Sequence, residues 1–273
     1  MSSNIIKKEA LTLPWQTEDP YLFCMYHVNN YPAGNYDFSP KASLEGRRIG
    51  EDFADIDGWN MYHGSHIPGF PHHPHKGFET ISIIEEGYLD HSDSLGNGGR
   101  FGAGDVQWMT AGSGVQHSEM GALMNMDRRN RKESFQIWLN LPASSKNVDP
   151  DYKMLWREDI PIETKRYDDD RTVTVKVIAG EYDGIVAIDP TPNSWAADPK
   201  NKVRILLIHM DKDTSWTLPK TDEGTSRRIY LYRGKNVTVD NNDIISNSQY
   251  AQLVPDAHIE FKNRRYESKY ATT

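Results

Sequence analysis

Cysteine is almost missing from this chain of 273 residues: Cys24 stands alone. That excludes an intrachain disulfide framework, and it excludes a soft metal site built on several thiolates. It also fits a reducing compartment, and a cytoplasmic location is expected. Long apolar runs are missing too. None approaches the ~20 residues that span a bilayer. The opening Met1-Ser2-Ser3-Asn4-Ile5-Ile6-Lys7-Lys8-Glu9 has no apolar signal core after its lysines. Positive charge is the scarcer sign, with 31 Lys and Arg against 39 Asp and Glu and a net charge of −8. That balance argues against broad nucleic-acid binding, which needs cations to displace counterions from phosphates. No phosphate-cradling glycine loop, dinucleotide fingerprint or nucleophile elbow occurs. What is left is an ordinary composition, 37% apolar and 26% charged, in a chain long enough to bury a core without staples.

The richest feature is punctuation. Twenty Gly and fifteen Pro separate short runs of Val, Ile, Tyr, Trp and Thr. Few segments hold a helical period for three turns, so the pattern predicts an all-β sandwich or barrel. Strands are expected at 80–84, 106–109, 135–139, 173–178, 203–210 and 229–232, with a tight turn at Leu95-Gly96-Asn97-Gly98-Gly99. The proline-bearing stretch from Pro142 to Asp170 has little β periodicity and reads as a crossover between two halves; its Asp168-Asp169-Asp170 reads as a solvated turn. The halves echo each other. Ile83 to Leu89 and Tyr230 to Val237 are both a strand, a Gly turn and a second strand.

Five of ten histidines lie between His63 and His75. His73 and His75 are two apart, and in an extended segment residues i and i+2 share a face. Pro74 between them favours that geometry, whereas His72 has the opposite parity and points away. His117-Ser118-Glu119 repeats the spacing after a flexible Gly112-Ser113-Gly114 turn. Three imidazoles and a carboxylate suit iron, manganese, nickel, copper or zinc, with room left for water, dioxygen or substrate. His258-Ile259-Glu260 has the same H-x-E spacing, but no H-x-H pair precedes it, so no metal is expected there.

The stretch Phe70-Pro71-His72-His73-Pro74-His75-Lys76-Gly77-Phe78-Glu79-Thr80 resembles the signature of the pirins, a branch of the cupin superfamily. So does the run from Ala103 to Met120, and Asp19 to Phe23 and Gln136 to Pro142 are similar to the family's flanking strands. The resemblance implies a bicupin: two jelly-roll-type cupin β-barrels, at residues 1–142 and 143–273, with a metal only in the first. It carries over His73, His75, His117 and Glu119 as ligands, and it leaves Glu79 as a supporting group. It implies one divalent transition metal, iron(II) first, with Mn, Ni, Cu or Zn as alternatives. The activity implied is like that of quercetin 2,3-dioxygenase: a small aromatic substrate and dioxygen, with Glu119 as general base. The alternative is an iron-binding, redox-responsive regulator of a transcription factor or metabolic enzyme, with no direct nucleic-acid or membrane contact. The family's closing aromatic-Gly-Pro segment is not found, so the second barrel rests on the internal echo and on strand count.

Three other features carry less. Arg128-Arg129-Asn130-Arg131-Lys132 reads as a solvated loop between strands, in preference to a patch that meets an acidic partner or an anionic substrate near the site mouth. Cys24, between Phe23 and Met25, reads as a buried small hydrophobe. Trp108 and Trp138 read equally as pocket walls or barrel core.

Overall fold

The computed structural model describes residues 3–264. They are nearly all β, in the two-barrel cupin layout. No helix among the described residues is long and apolar enough to cross a membrane. The chain divides into two compact units. One holds Pro14–Asp159 and Asp189–Asn201; the other holds Ile160–Ile188 together with described residues 3–13 and 202–264.

The division is therefore not one cut at 142/143, and three local pairings explain why. The first strand, β1 (Ile5–Ala10), is antiparallel to Gln249–Leu253 and belongs with the later residues. Within the supposed crossover, Asp151–Leu155 pairs with Val106–Thr110 and extends the earlier unit. Ile162–Arg166 forms a hairpin with Thr172–Ala179 in the other unit, turning through Asp168-Asp169-Asp170. Both strands are short, the first largely half-buried and the second largely exposed, so neither shows an apolar alternation in sequence.

The earlier unit packs two sheets face to face, and its strands follow in chain order. They are β2 (Tyr21–Tyr31), β3 (Gly69–His75), β4 (Phe78–Glu86), β5 (Tyr88–Asp93), β6 (Gly98–Gly102), β7 (Val106–Thr110), β8 (Val115–Met120), β9 (Asn130–Asn140) and β10 (Asp151–Leu155). One sheet has the order β10-β7-β4-β9-β2 and the other β3-β8-β5-β6. Central β4 is buried on both faces, which is why Thr80-Ile81-Ser82-Ile83-Ile84 reads as a continuous run. Gly69, at φ 139°, lets β3 meet β8: a Cβ there would stand 2.4 Å from the Glu119 carbonyl oxygen.

The other unit is filled differently. Val173, Val175, Val177, Trp216, Val239, Ile245, Ile259 and Phe261 form one apolar core. The internal echo is present in both units, since Gly87 and Gly234 both take positive φ between two successive strands.

Candidate metal centre

Strands β3 and β8 bring the two i,i+2 pairs together. His73 lies opposite His117 in the antiparallel register, with an irregularity between Phe70 and His73. Ring centroids are 4.5 Å apart for His73–His117, 4.8 Å for His73–His75 and 4.9 Å for His75–His117. One ligand atom from each lies within 4.8 Å of the others. His72 is exposed, as its parity predicts.

Hydrogen bonding fixes which nitrogens face inward. His73 Nδ1 donates to the Pro71 carbonyl at 2.8 Å, leaving Nε2 as a lone pair. On β5, His91 Nε2 donates to Asp93 Oδ2 at 3.0 Å. The Nδ1 of His91 is then an acceptor, and His117 Nδ1 lies 3.4 Å from it. With His117 Nδ1 as the donor in that contact, His117 Nε2 is left as a lone pair as well. The two bare Nε2 atoms nevertheless stand 3.0 Å apart. Facing lone pairs repel unless a cation lies between them. Burial, reinforced by the neighbouring imidazoles, pushes the pKa of both His75 and His117 down to about 3, which keeps both rings neutral and their lone pairs open to a metal. Two nitrogens each about 2.1 Å from one ion and a right angle apart would be separated by about 3.0 Å. The donor set and its spacing fit a transition metal.

Glu119 is not part of the three-histidine cluster. It is buried on the same face of β8, where Ser82 Oγ donates to Oε1 at 2.7 Å and Gln136 Nε2 donates to Oε2 at 2.9 Å. Glu79 sits on the opposite face of β4. There it accepts from Trp108 Nε1 (2.8 Å), Thr110 Oγ1 (2.9 Å) and the Trp195 amide (2.8 Å), tying residues 189–201 to the sheet. Trp108 is thus core, while Trp138 lines the site 5.6 Å from His75 and stacks on Phe23 at 4.5 Å. Phe78 lies 5.1 Å from His75, and Phe70 and Tyr62 stack at 5.0 Å on the His73 side.

The pattern Phe70 to Met120 thus folds into one site, and its kin can be given. Residues 47–139 match the Pirin family model. That match covers about a third of the chain. The chain is 44% identical over 115 residues to a pirin-like protein of Caulobacter vibrioides, covering 42% of this chain and 39% of that protein. It is 42% identical over 128 residues to human pirin, covering 46% of this chain and 41% of that one. The matches thus span only about two-fifths of these relatives' lengths. A solved structure of quercetin 2,3-dioxygenase from Acinetobacter baumannii superposes with a TM-score of 0.67 at 26% identity, over 90% of this chain and 71% of that one. The segment matched by the Pirin model contains all three clustered histidines, Glu119, His91 and Asp93.

His91 and Asp93 are the residues that sequence reading passed over. Their side chains are fully buried, opposite Glu119 and His117 in the β5–β8 register, and His91 stacks on Tyr152 at 4.7 Å. The signal was present: His91-Ser92-Asp93 is a further i,i+2 pair, lying between the two that supply the candidate ligands. Cys24 is buried and its thiol pushed up to about 12, which makes it unreactive. The basic run is not one solvated loop, because Arg131 pairs with Glu86 and Glu133 and Lys132 belongs to β9.

Proposed function

We propose that His73, His75, His117 and Glu119 hold one divalent transition metal, iron(II) in the first instance, and that the site is a dioxygenase for flavonol-type aromatics. The opposed Nε2 atoms of His73 and His117 carry the metal part of this reading. The aromatic walls of Phe23, Phe78 and Trp138 support a flat substrate, as does the likeness to a quercetin 2,3-dioxygenase structure.

When bound, such an ion supplies Lewis acidity and a place where substrate oxygen and dioxygen meet. The rest falls to the chain. A carboxylate has about four lone-pair sites. Ser82 and Gln136 occupy one on each Glu119 oxygen, leaving one for the ion and one for the hydroxyl proton of the substrate. Glu119 is thereby oriented as general base. Pro71 and the His91–Asp93 pair hold the imidazoles in the tautomer that binds metal. Phe78 and Trp138 exclude water beside His75.

The test is oxygen uptake by iron-loaded protein with quercetin. The expected result is matched loss of oxygen and flavonol with release of carbon monoxide. A metal-replete protein that leaves quercetin and related flavonols untouched contradicts the enzyme reading. The second reading, a metal-responsive binding protein, would then lead. It draws on an exposed apolar group, Tyr36, Met124 and Met126, beside the groove that Tyr36, Lys41 and Met126 line.

A further inference from the structure

Lys132 is the one cation on the inner row of β9. That row is fixed by its other members: Trp138 meets His75, and Gln136 donates to Glu119. Lys132 shares their parity. Its chain runs across Gly121, two residues past Glu119, where an added Cβ would stand 3.6 Å from Nζ. Burial drives its pKa down to about 8, against the pull of Glu119 and Asp90, so at pH 7 it is an ammonium. Both carboxylates are already engaged. Asp90 takes the Arg100 fork at 2.7 and 2.8 Å, and Glu119 holds Ser82 and Gln136. Among the described residues, none forms a hydrogen bond or ion pair with Lys132 Nζ.

A second donor faces the same region. His27 on β2 lies opposite Ser134, between Gln136 and Lys132 on the inner row. Asn29 and Asn60 both hydrogen-bond to Tyr62 Oη, Asn29 Nδ2 at 2.8 Å, and with both lone pairs so engaged the hydroxyl proton goes to His27 Nδ1, also at 2.8 Å. The ring is neutral, since burial and then Lys132 push its pKa down to about 4. Its remaining proton is therefore on Nε2, which has no partner among the described residues. An ammonium and an imidazole N–H, neither with a partner among the described residues and both within the field of Glu119, offer two donors to an oxyanion.

We infer that Lys132 and His27 form an anion-binding edge of the metal site, and that its substrates are aromatic rings carrying an anionic oxygen group, a carboxylate or an ionised phenol, in addition to the hydroxyl that meets Glu119, rather than neutral rings. The inference narrows the substrate class of the proposed site but does not depend on oxygen chemistry.

The experiment is calorimetric titration of iron(II)-loaded, full-length protein under nitrogen at pH 7 with salicylate and with its neutral analogue salicylamide. Metal content is matched across variants. Lys132→Met should weaken salicylate by about tenfold and salicylamide by less than about twofold, the loss of one charge-assisted hydrogen bond. Lys132→Arg should keep most of the salicylate affinity. Equal losses for the two probes, unchanged salicylate binding in Lys132→Met, or no salicylate binding by wild type would each overturn the inference. Quercetin turnover is scored separately. Its absence removes the dioxygenase reading and leaves the probe result standing, whereas turnover without a selective salicylate loss removes only the anion edge.

Discussion

Two H-x-E triplets occur in this chain with opposite fates. In β8, His117 and Glu119 are buried and Ser118 between them is half-buried. In the other unit His258 is exposed, Glu260 is half-buried with Lys262 as its ion-pair partner, and Ile259 and Phe261 fill the core. The spacing is the same and the parity is reversed. A strand presents alternate residues to its two faces, so a one-residue change of register exchanges every inward side chain. Spacing alone therefore does not make a site. Ligands also have to fall on the inward parity, opposite further ligands in the neighbouring strand, as His117 does with His73. The difference extends to the surroundings. The interior of the first unit carries Ser82, His91, Glu119 and Gln136, while the second is packed with Val, Ile, Trp and Phe.

The comparison breaks first if the two triplets are interchangeable. His117→Ala should take bound metal from about one per chain to near zero, while His258→Ala should leave it unchanged and shift stability by no more than about 0.5 kcal/mol, as for ordinary surface changes. Elemental analysis beside a urea titration reads both. Next in size is Glu119→Gln, which keeps shape but removes the base. Flavonol turnover should fall by about two to four orders of magnitude with metal retained, and undiminished turnover in a metal-replete sample would refute the base role. Phe261→Ala tests the apolar side. It should cost about 3–5 kcal/mol in chemical denaturation by opening a cavity, with metal stoichiometry unchanged in the folded protein. The smallest effect is expected from His91→Gln, which removes the acceptor beside His117 Nδ1. Metal affinity measured by chelator competition should weaken by about 10–100-fold. The cobalt(II)-substituted visible spectrum should shift as well, which a purely structural role for His91 would not cause.

Acid sharpens the same contrast. His75 and His117 have folded pKa values near 3, against an ordinary value of 6.5. The unfolded chain therefore binds protons first as pH falls below about 6.5, and the metal-free fold loses stability progressively from there towards pH 3.

Much of the site was legible because its ligands lie within two short strands, where i,i+2 spacing states the geometry directly. Pro74 and Gly112 mark the extended pair and the turn that aims the second one. The His91–Asp93 support was harder to see. Its meaning depends on β5 lying beside β8, a contact 26 residues apart for His91 and His117 that local periodicity does not encode. Lys132 was masked by its neighbours: Arg128 and Arg129 are exposed, and only the start of β9 turns Lys132 inward. The unit boundary failed for a similar reason. β1 is a charged, exposed strand whose partner lies more than 230 residues away, and β10 is a short edge strand.

The central claim is that the first triplet and its facing histidines hold a metal. A crystal structure of the as-purified protein, with anomalous scattering collected at transition-metal edges, tests it most directly. The account predicts a single peak about 2.0–2.3 Å from His73 Nε2, His117 Nε2, a His75 nitrogen and a Glu119 oxygen, with His91 still bridging Asp93 and His117. A metal-free cluster in protein purified without chelator, or a peak at His258 and Glu260, would contradict it.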